Sequence, residues 1–197
     1  MPLRMSVFNK TTEFVVKFLS EYGTKIVAVS DSKGVIHNVH GLDYEKLKLV
    51  KKRHGTVTAY TPGEVLPNKS ILSVHVDILV TAAVPDLITE EDVPQTAARM
   101  IVEGSNIPAT YTVEKLLHKK GILVVPDFVA NAGGVISSYV EYIGGKPEKM
   151  FKLVKQKIVS NTELVLREAR KRKIMPRDAA MDIAKKRVLA KCRTCRV

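Results

Sequence analysis

The amino-acid sequence predicts an α/β fold with a doubly wound, mostly parallel sheet and a cap of C-terminal helices. Short runs rich in β-forming residues alternate with helical patterns over about the first three quarters of the chain, which is typical of parallel α/β sheets. Beyond Pro147 the strand signals stop and only helical spacing remains. The 197 residues, 45% hydrophobic and 26% charged, are enough to enclose a sizeable core.

Each element has its own signal in the chain. Apolar runs predict strands at residues 3–8, 25–30, 76–84, 98–106 and 122–127. Apolar residues at helical spacing predict helices at residues 12–23, 42–55 and 111–121, each ending at a glycine. The Pro/Gly-rich segment 61–68 predicts a loop. Two long helices follow, over residues 147–173 and from Pro176 onward, since proline suits the first helical position.

These elements predict a sheet domain at residues 1–145, helices packing on it at 146–191 and a basic tail at 192–197. From residue 146 onward the chain holds 17 Lys/Arg and five Asp/Glu, so the net charge of +12 belongs to this end. Such a surplus attracts nucleic acid or an acidic partner. A solvated helix face is the simpler explanation, because the segment lacks interleaved aromatic residues and Gly-Arg repeats.

The composition indicates a cytoplasmic protein that does not enter membranes. No window holds the roughly 18 apolar residues that a membrane span needs, and the first ten residues lack the apolar centre of a secretory signal. The two cysteines, Cys192 and Cys195, supply only two of the four ligands of a structural zinc site, and the five histidines are scattered. We therefore predict no metal site.

Polar residues follow the second predicted strand at "SDSKG". In dinucleotide-binding folds an acidic residue here accepts hydrogen bonds from the adenosine ribose, which makes Asp31 and its neighbour Ser32 candidates for cofactor binding. A turn aspartate that binds the following backbone explains the same pattern. The glycine-rich turn that should precede it is missing, because the chain has no glycine before Gly23 and reads "VFNKTTEF" instead. We expect this change to weaken cofactor binding.

Further candidates follow the later strands. Ala82 and Ala83 leave room for a flat ligand ring, and the amides of Asn106 and Asn131 offer both a donor and an acceptor. Ser138 follows Asn131 by about two helical turns, so we expect the two to project from one side of the same element. Tight turns, capping asparagines and close packing at the Gly133-Gly134 pair are the structural alternatives.

Together these stretches resemble the cofactor-binding half of glutamate dehydrogenases, particularly the archaeal-type enzymes. The resemblance rests on "KIVAVSDSKG", "VEGSN-P-T", "ILVVPDFVANAGGV-SSYVEY" and "RDAA--IA--RV", and "PDFVANAGGV" with "SYVEY" is specific within it. Leucine and phenylalanine dehydrogenases share the first part. The resemblance implies a Rossmann-type domain that binds NAD or NADP for the oxidative deamination of L-glutamate.

The resemblance also assigns roles to residues. It implies that Asp31 contacts the adenosine ribose, that Asn106 and Asn131 lie around the nicotinamide, and that Ser138 holds a substrate carboxylate. Two positions depart from the family's pattern: Asp86 stands where Asn is usual and Ile107 where Gly is usual.

The family's substrate domain, with its catalytic lysine and aspartate, does not occur in this sequence. Deamination needs a base and a cation besides a hydride acceptor, so we predict no catalytic residue here and an inactive isolated chain, as a truncated, split or excised form of the enzyme. A separate substrate-domain chain or a homo-oligomer would be its partner. The alternative is a non-catalytic paralogue that binds nucleotide, protein or nucleic acid.

Overall fold

The structure is a computed structural model that describes residues 2–6, 10–82 and 85–192, with side chains from residue 13 onward. The chain divides into two compact units, Met1–Leu123 and Val124–Val197. The sequence placed a boundary at residue 145, and that placement, like the tail at 192–197, stays a prediction.

The first unit alternates strands and helices as the sequence predicts. Its strands are β1 (Pro2–Ser6), β2 (Lys25–Asp31), β3 (Gly34–His37), β4 (Glu64–Leu66), β5 (Val76–Thr81) and β6 (Ala98–Glu103), and β7 (Leu123–Val125) begins at its last residue. Its helices are α1 (Lys10–Glu21), α2 (Tyr44–His54) and α3 (Tyr111–Lys119).

The six strands that lie wholly within the first unit occur in the order β4-β3-β2-β1-β5-β6. β1 pairs in parallel with β2 on one side and with β5 on the other, and β5 pairs in parallel with β6. The strand order therefore reverses between β1 and β5. This arrangement confirms the predicted α/β fold with a doubly wound, mostly parallel sheet.

An antiparallel extension of the sheet was not predicted. β3 pairs with β2, and β4 pairs with β3, both in antiparallel orientation. The prediction of a plain loop at 61–68 is wrong for Glu64–Leu66, which forms β4. The strand predicted at 98–106 is shorter in the structure because the chain turns after Glu103. Of the strand predicted at 76–84, β5 covers Val76–Thr81, and residues 83 and 84 lie outside the described residues.

The core of the first unit lies where β2 meets α1 and α2. β2 is buried along six of its seven residues, with the pattern expected of a strand covered on both faces. Its buried cluster consists of Val16, Ile26, Val29, Ile36, Leu42, Leu47, Val57, Tyr60 and Val80. This packing fixes the position of β2 and so of the residues at its end.

The second unit is helical after β7. It contains α4 (Asp127–Ala130), α5 (Gly133–Tyr142), α6 (Pro147–Arg172) and α7 (Pro176–Lys191). α6 packs against α4, α5 and α7, and α7 begins with proline at its first turn, as predicted. Among the described residues, no helix combines the length and the apolar character that crossing a membrane requires.

Candidate functional site

The parallel strands of the first unit end together at one edge of the sheet. Ser6 of β1 lies beside Thr81 of β5, and Thr81 lies beside Glu103 of β6. Open α/β sheets bind ligands outside the carboxyl ends of their strands, at the point where the strand order reverses. That point lies here between β1 and β5, so the carboxyl edge is the candidate site of this unit.

The turn after β6 is held close to the end of β5. The Thr81 carbonyl accepts a hydrogen bond from the Ser105 N–H at 2.9 Å. A Cβ atom at Gly104 would lie 2.8 Å from the same carbonyl oxygen, which is closer than real Cβ contacts come. Only glycine therefore fits this turn without a shift, and the turn presents Asn106 as an exposed residue at the carboxyl edge.

The two residues that depart from the family's pattern face each other across neighbouring loops. The Asp86 N–H donates to the Ile107 carbonyl at 2.9 Å. Both residues have left-handed backbone conformations, with φ of 51° and 45°. For a β-branched residue such as Ile107 this conformation is a genuine outlier. The Ile107 side chain is 57% exposed, so packing does not compensate for the strain.

Asp31 is the last residue of β2 and is buried, with 3% of its surface exposed. Its Oδ1 accepts hydrogen bonds from the Lys33 N–H at 2.9 Å and the Thr56 hydroxyl at 3.3 Å. Its Oδ2 accepts from Lys51 Nζ at 2.7 Å and from the Val57 N–H at 2.8 Å. The bond to Lys33 is the turn that the sequence offered as the alternative to a ribose contact.

The electrostatics of Asp31 follow from these donors. Burial by itself raises the pKa of the carboxyl, because the charged form loses water. The hydrogen bonds from Lys51 and from the Lys33 and Val57 amides, together with the Lys51 charge, outweigh burial and hold the Asp31 pKa below its usual value. The carboxylate is therefore charged at neutral pH and ties β2 to α2 and to the 3-10 turn Val57–Ala59.

The other predicted residues of the first unit differ in exposure. Ser32 is exposed, whereas Ala82 is 5% exposed. Ala83 lies outside the described residues, and so do residues 7–9, where the glycine-rich turn would be expected. Lys51 was not singled out from the sequence, since no local spacing links it to a residue 20 positions earlier.

In the second unit, Asn131 and Ser138 lie on different helices. Asn131 caps the carboxyl end of α4, and Ser138 lies within α5. The prediction that both project from one continuous element is wrong, because the chain breaks between the two helices. The Ser138 hydroxyl is exposed and donates to the Gly134 carbonyl at 3.2 Å.

The glycine pair begins α5 without being crowded. A Cβ atom at Gly133 would be 3.4 Å from Val154 of α6, and one at Gly134 would meet no atom within 4 Å. The structure gives no packing reason for glycine at Gly134. The space beside Gly134 is open.

An ion pair that the sequence did not reveal holds the turn before Asn131. Arg177 Nη2 donates to Asp127 Oδ1 at 2.9 Å, and the guanidinium lies 5.3 Å from the centroid of the Phe128 ring. The only signal in the sequence is that both residues fall in stretches that carry the resemblance, "ILVVPD" and "RDAA". Fifty residues separate them.

Comparison with known proteins gives consistent relatives. Residues 10–194 match the family model described as Glutamate/Leucine/Phenylalanine/Valine dehydrogenase. The chain is 43% identical over 185 residues to a glutamate dehydrogenase of Aeropyrum pernix, which covers 89% of this chain and 44% of that protein. It is 37% identical to an NADP-specific glutamate dehydrogenase of Saccharolobus shibatae, over 92% of this chain and 45% of that protein.

A third relative carries the other cofactor in its name. An NAD-specific glutamate dehydrogenase of Staphylococcus aureus is 35% identical over 91% of this chain and 45% of its own length. Among solved structures, the hetero-hexameric glutamate dehydrogenase of Thermus thermophilus, in its Leu-bound form, matches with a TM-score of 0.85 and 23% identity, over 100% of this chain and 48% of that one. At 23% identity, this last similarity shows a shared fold only. The chain spans less than half the length of these curated relatives.

Proposed function

The chain belongs to the Glutamate/Leucine/Phenylalanine/Valine dehydrogenase family, and on that premise we propose that it supplies the nicotinamide dinucleotide-binding part of a glutamate dehydrogenase. The observation that carries this proposal is the reversal of strand order between β1 and β5 in a chain whose relatives are named as NAD-specific or NADP-specific glutamate dehydrogenases. The bound dinucleotide would supply the hydride acceptor for oxidation of the amino acid.

The residues of the first unit fit a flat ligand with an amide. Asn106 is exposed at the carboxyl edge, on a turn that Gly104 keeps close to β5. We assign to its side chain the donor and acceptor that orient a carboxamide. Ala82 and Ala83 are proposed as the small residues beside the ring, and Ser32 as a polar contact for the adenosine half.

In the second unit, the resemblance supports roles for two further residues. Asn131 is proposed as a second amide near the nicotinamide. Ser138 is proposed to bind a substrate carboxylate through its hydroxyl, which is exposed. The open space beside Gly134 supports a ligand that approaches the start of α5.

We propose that the 197-residue chain by itself does not oxidise glutamate. Oxidative deamination needs a base that removes the amine proton and a cation that polarises the developing carbonyl, in addition to an aligned hydride acceptor. The residues proposed here bind and orient ligands, and none of them is a base or a cation. More than half of the length of the relatives lies outside the matched region. We propose that a polypeptide corresponding to that region supplies the base and the cation, either as a partner chain or within an oligomer.

Cofactor binding is tested by titrating the purified chain with NADPH and with NADH, followed by reduced-nicotinamide fluorescence. We expect saturable binding of at least one cofactor. Asn106→Ala and Asn131→Ala should each weaken it by up to about tenfold, the value of a lost neutral hydrogen bond. Gln156→Ala, an exposed amide on α6, is the matched control. The absence of binding by the folded chain would refute the proposal, and glutamate-dependent reduction of NAD or NADP would refute the predicted inactivity.

A second candidate function rests on the charge of the second unit. The Lys and Arg side chains of α6 and α7 are exposed, apart from half-buried Arg177. A surface of this kind binds polyanions with strong salt dependence. Binding of nucleic acid that disappears between about 50 and 200 mM salt, in a chain that binds neither cofactor, would favour a non-catalytic binding module.

A further inference from the structure

We infer that the chain binds NADP(H) in preference to NAD(H), because the carboxylate that would select the unphosphorylated ribose is committed to the protein. This inference rests on the proposed function and concerns the adenosine end of the same site. The relatives include both an NADP-specific and an NAD-specific enzyme, so family membership does not decide the preference.

Selection of NAD requires a carboxylate with free acceptor positions. In dinucleotide-binding folds the acidic residue at the end of the second strand accepts hydrogen bonds from the ribose hydroxyls, and its charge repels a 2′-phosphate. Asp31 occupies this place at the end of β2. Its ability to select NAD therefore depends on what its two oxygens already bind.

An ionised carboxylate has about four acceptor sites, and at Asp31 all four are taken within the protein. Oδ1 receives the Lys33 N–H and the Thr56 hydroxyl, and Oδ2 receives Lys51 Nζ and the Val57 N–H. The Thr56 oxygen lies 2.8 Å from the Thr58 hydroxyl, which can donate to it while Thr56 donates to Asp31. No acceptor site is left for a ribose hydroxyl.

The donors cannot easily be released to a ligand. Val57 is fully buried, so its N–H would have no water to replace Asp31, and a buried donor without an acceptor is costly. Rotation of the carboxylate towards a ligand would break this bond. The structure therefore holds Asp31 in its present orientation.

The same contacts offset the negative charge that would repel a 2′-phosphate. Lys51 Nζ lies 2.7 Å from Oδ2 and balances the carboxylate. Ser32 and Lys33, the next two residues, are exposed. Within the described part of the chain, the Lys33 ammonium makes no ion pair. The Ser32 hydroxyl and the Lys33 ammonium therefore lie beside a carboxylate whose charge Lys51 balances. These groups suit a phosphate dianion, since lysine binds phosphate as a point charge.

The test is a pair of fluorescence titrations of the purified chain, with NADPH and with NADH, at about 50 mM salt, where charge contacts are screened less than at physiological salt. We expect NADPH to bind at least tenfold more tightly. Equal affinities, or tighter binding of NADH, would overturn this inference and leave the proposed function intact. Failure of both cofactors to bind would refute the proposed function itself.

Two variants test whether Lys33 and Lys51 produce the preference for NADPH over NADH. Lys33→Ala should weaken NADPH by about tenfold and leave NADH unchanged, because only the phosphorylated cofactor uses the ammonium. Lys51→Met leaves the Asp31 charge unbalanced and one Oδ2 site unfilled, so the ratio of affinities should move towards NADH by tenfold or more. Lys52→Met, the adjacent exposed lysine of α2, should leave the ratio unchanged.

Circular dichroism at the titration temperature shows whether each variant is folded, and Lys33→Ala, at an exposed turn, keeps the inference testable if Lys51→Met unfolds. An unchanged ratio in folded Lys33→Ala and Lys51→Met would overturn the assignment. An equal change in Lys52→Met would show a general effect of charge and would overturn it as well.

Discussion

Arg177 Nη2 donates to Asp127 Oδ1 at 2.9 Å and joins the first turn of α7 to the first turn of α4. The same Asp127 oxygen accepts the Phe128 N–H at 2.9 Å, and the Asp127 carbonyl accepts the Asn131 N–H at 2.7 Å. Because α4 has only four residues, it cannot be stable alone. The ion pair with α7, together with the packing of α6 against α4, holds the turn that ends in Asn131.

Removing this arginine should destabilise the fold. In the pair, the side chain of Arg177 is 18% exposed and that of Asp127 11%, so Arg177→Ala removes a guanidinium from a largely buried carboxylate. We expect a loss of about 2 to 3 kcal/mol in the free energy of unfolding, measured by urea unfolding. Arg187→Ala, which removes an exposed arginine bonded to Asn161 at 3.0 Å, should cost less than about 0.5 kcal/mol. Equal losses in the two variants would contradict the role of the pair.

Asp31→Asn should destabilise the chain in a pH-dependent way. A carboxyl whose pKa is lower in the folded state stabilises the fold at pH values above its unfolded pKa, near 3.9, and loses this contribution as pH falls through the folded pKa. The pKa of Asp31 is lowered, so the stabilisation is complete at pH 7. The amide introduced by the substitution would also place a donor against the donors of Lys51 and Val57. We expect a loss of about 2 kcal/mol at pH 7.

The loss should shrink when urea unfolding is repeated near pH 3, because below a pKa of about 3.9 the carboxyl of the unfolded wild-type chain takes up a proton, while the folded chain, whose Asp31 pKa is lower, resists protonation. Asp77→Asn is the control, since Asp77 pairs at 3.3 Å with the exposed Arg99 and should contribute little. A difference between wild type and Asp31→Asn that is the same at pH 7 and pH 3 would contradict this account.

The fold was easier to predict from the sequence than the site. Apolar runs and helical spacing are local signals, so β2, β5, β6 and the helices between them could be recognised. β3 and β4 could not, because Gly34–His37 and Glu64–Leu66 are short and become strands only by pairing with a neighbour. β3 pairs with β2, and β4 pairs with β3, as Leu66 does with Val35.

At the site, the sequence could place Asp31 and Asn106 at strand ends but not describe their surroundings. The bond from the Lys33 N–H to Asp31 is local and was foreseen as a turn. The donors Lys51 and Val57 lie 20 and 26 residues further along the chain. They reach Asp31 only because α2 and the following turn pack against β2, which no spacing rule encodes.

Ile107→Gly should stabilise the chain. Ile107 has φ of 45° and is 57% exposed, so the side chain strains the backbone and buries little surface in return. Glycine adopts this conformation freely but is more flexible when unfolded, so we expect a net gain of about 1 kcal/mol. Val135→Gly, on the exposed face of α5, should instead cost about 0.3 to 0.5 kcal/mol. Thermal unfolding measures both, and a loss in Ile107→Gly would show that the strain is compensated.

Gly104→Ala should destabilise the chain and disturb the carboxyl edge, whereas Gly134→Ala should be tolerated. At Gly104 the added Cβ would lie 2.8 Å from the Thr81 carbonyl oxygen, which is backbone and cannot rotate away. The turn after β6 would have to move, at a cost of about 1 to 3 kcal/mol, and Asn106 would move with it. At Gly134 the same methyl group meets no atom within 4 Å and lies in a helix, where alanine is preferred to glycine by about 0.5 to 1 kcal/mol.

Urea unfolding of the two variants should therefore shift in opposite directions, and NADPH affinity should fall in Gly104→Ala. Equal stability of Gly104→Ala and wild type would mean that the loop after β6 can withdraw from β5, and that Asn106 is not held where the proposed site requires it.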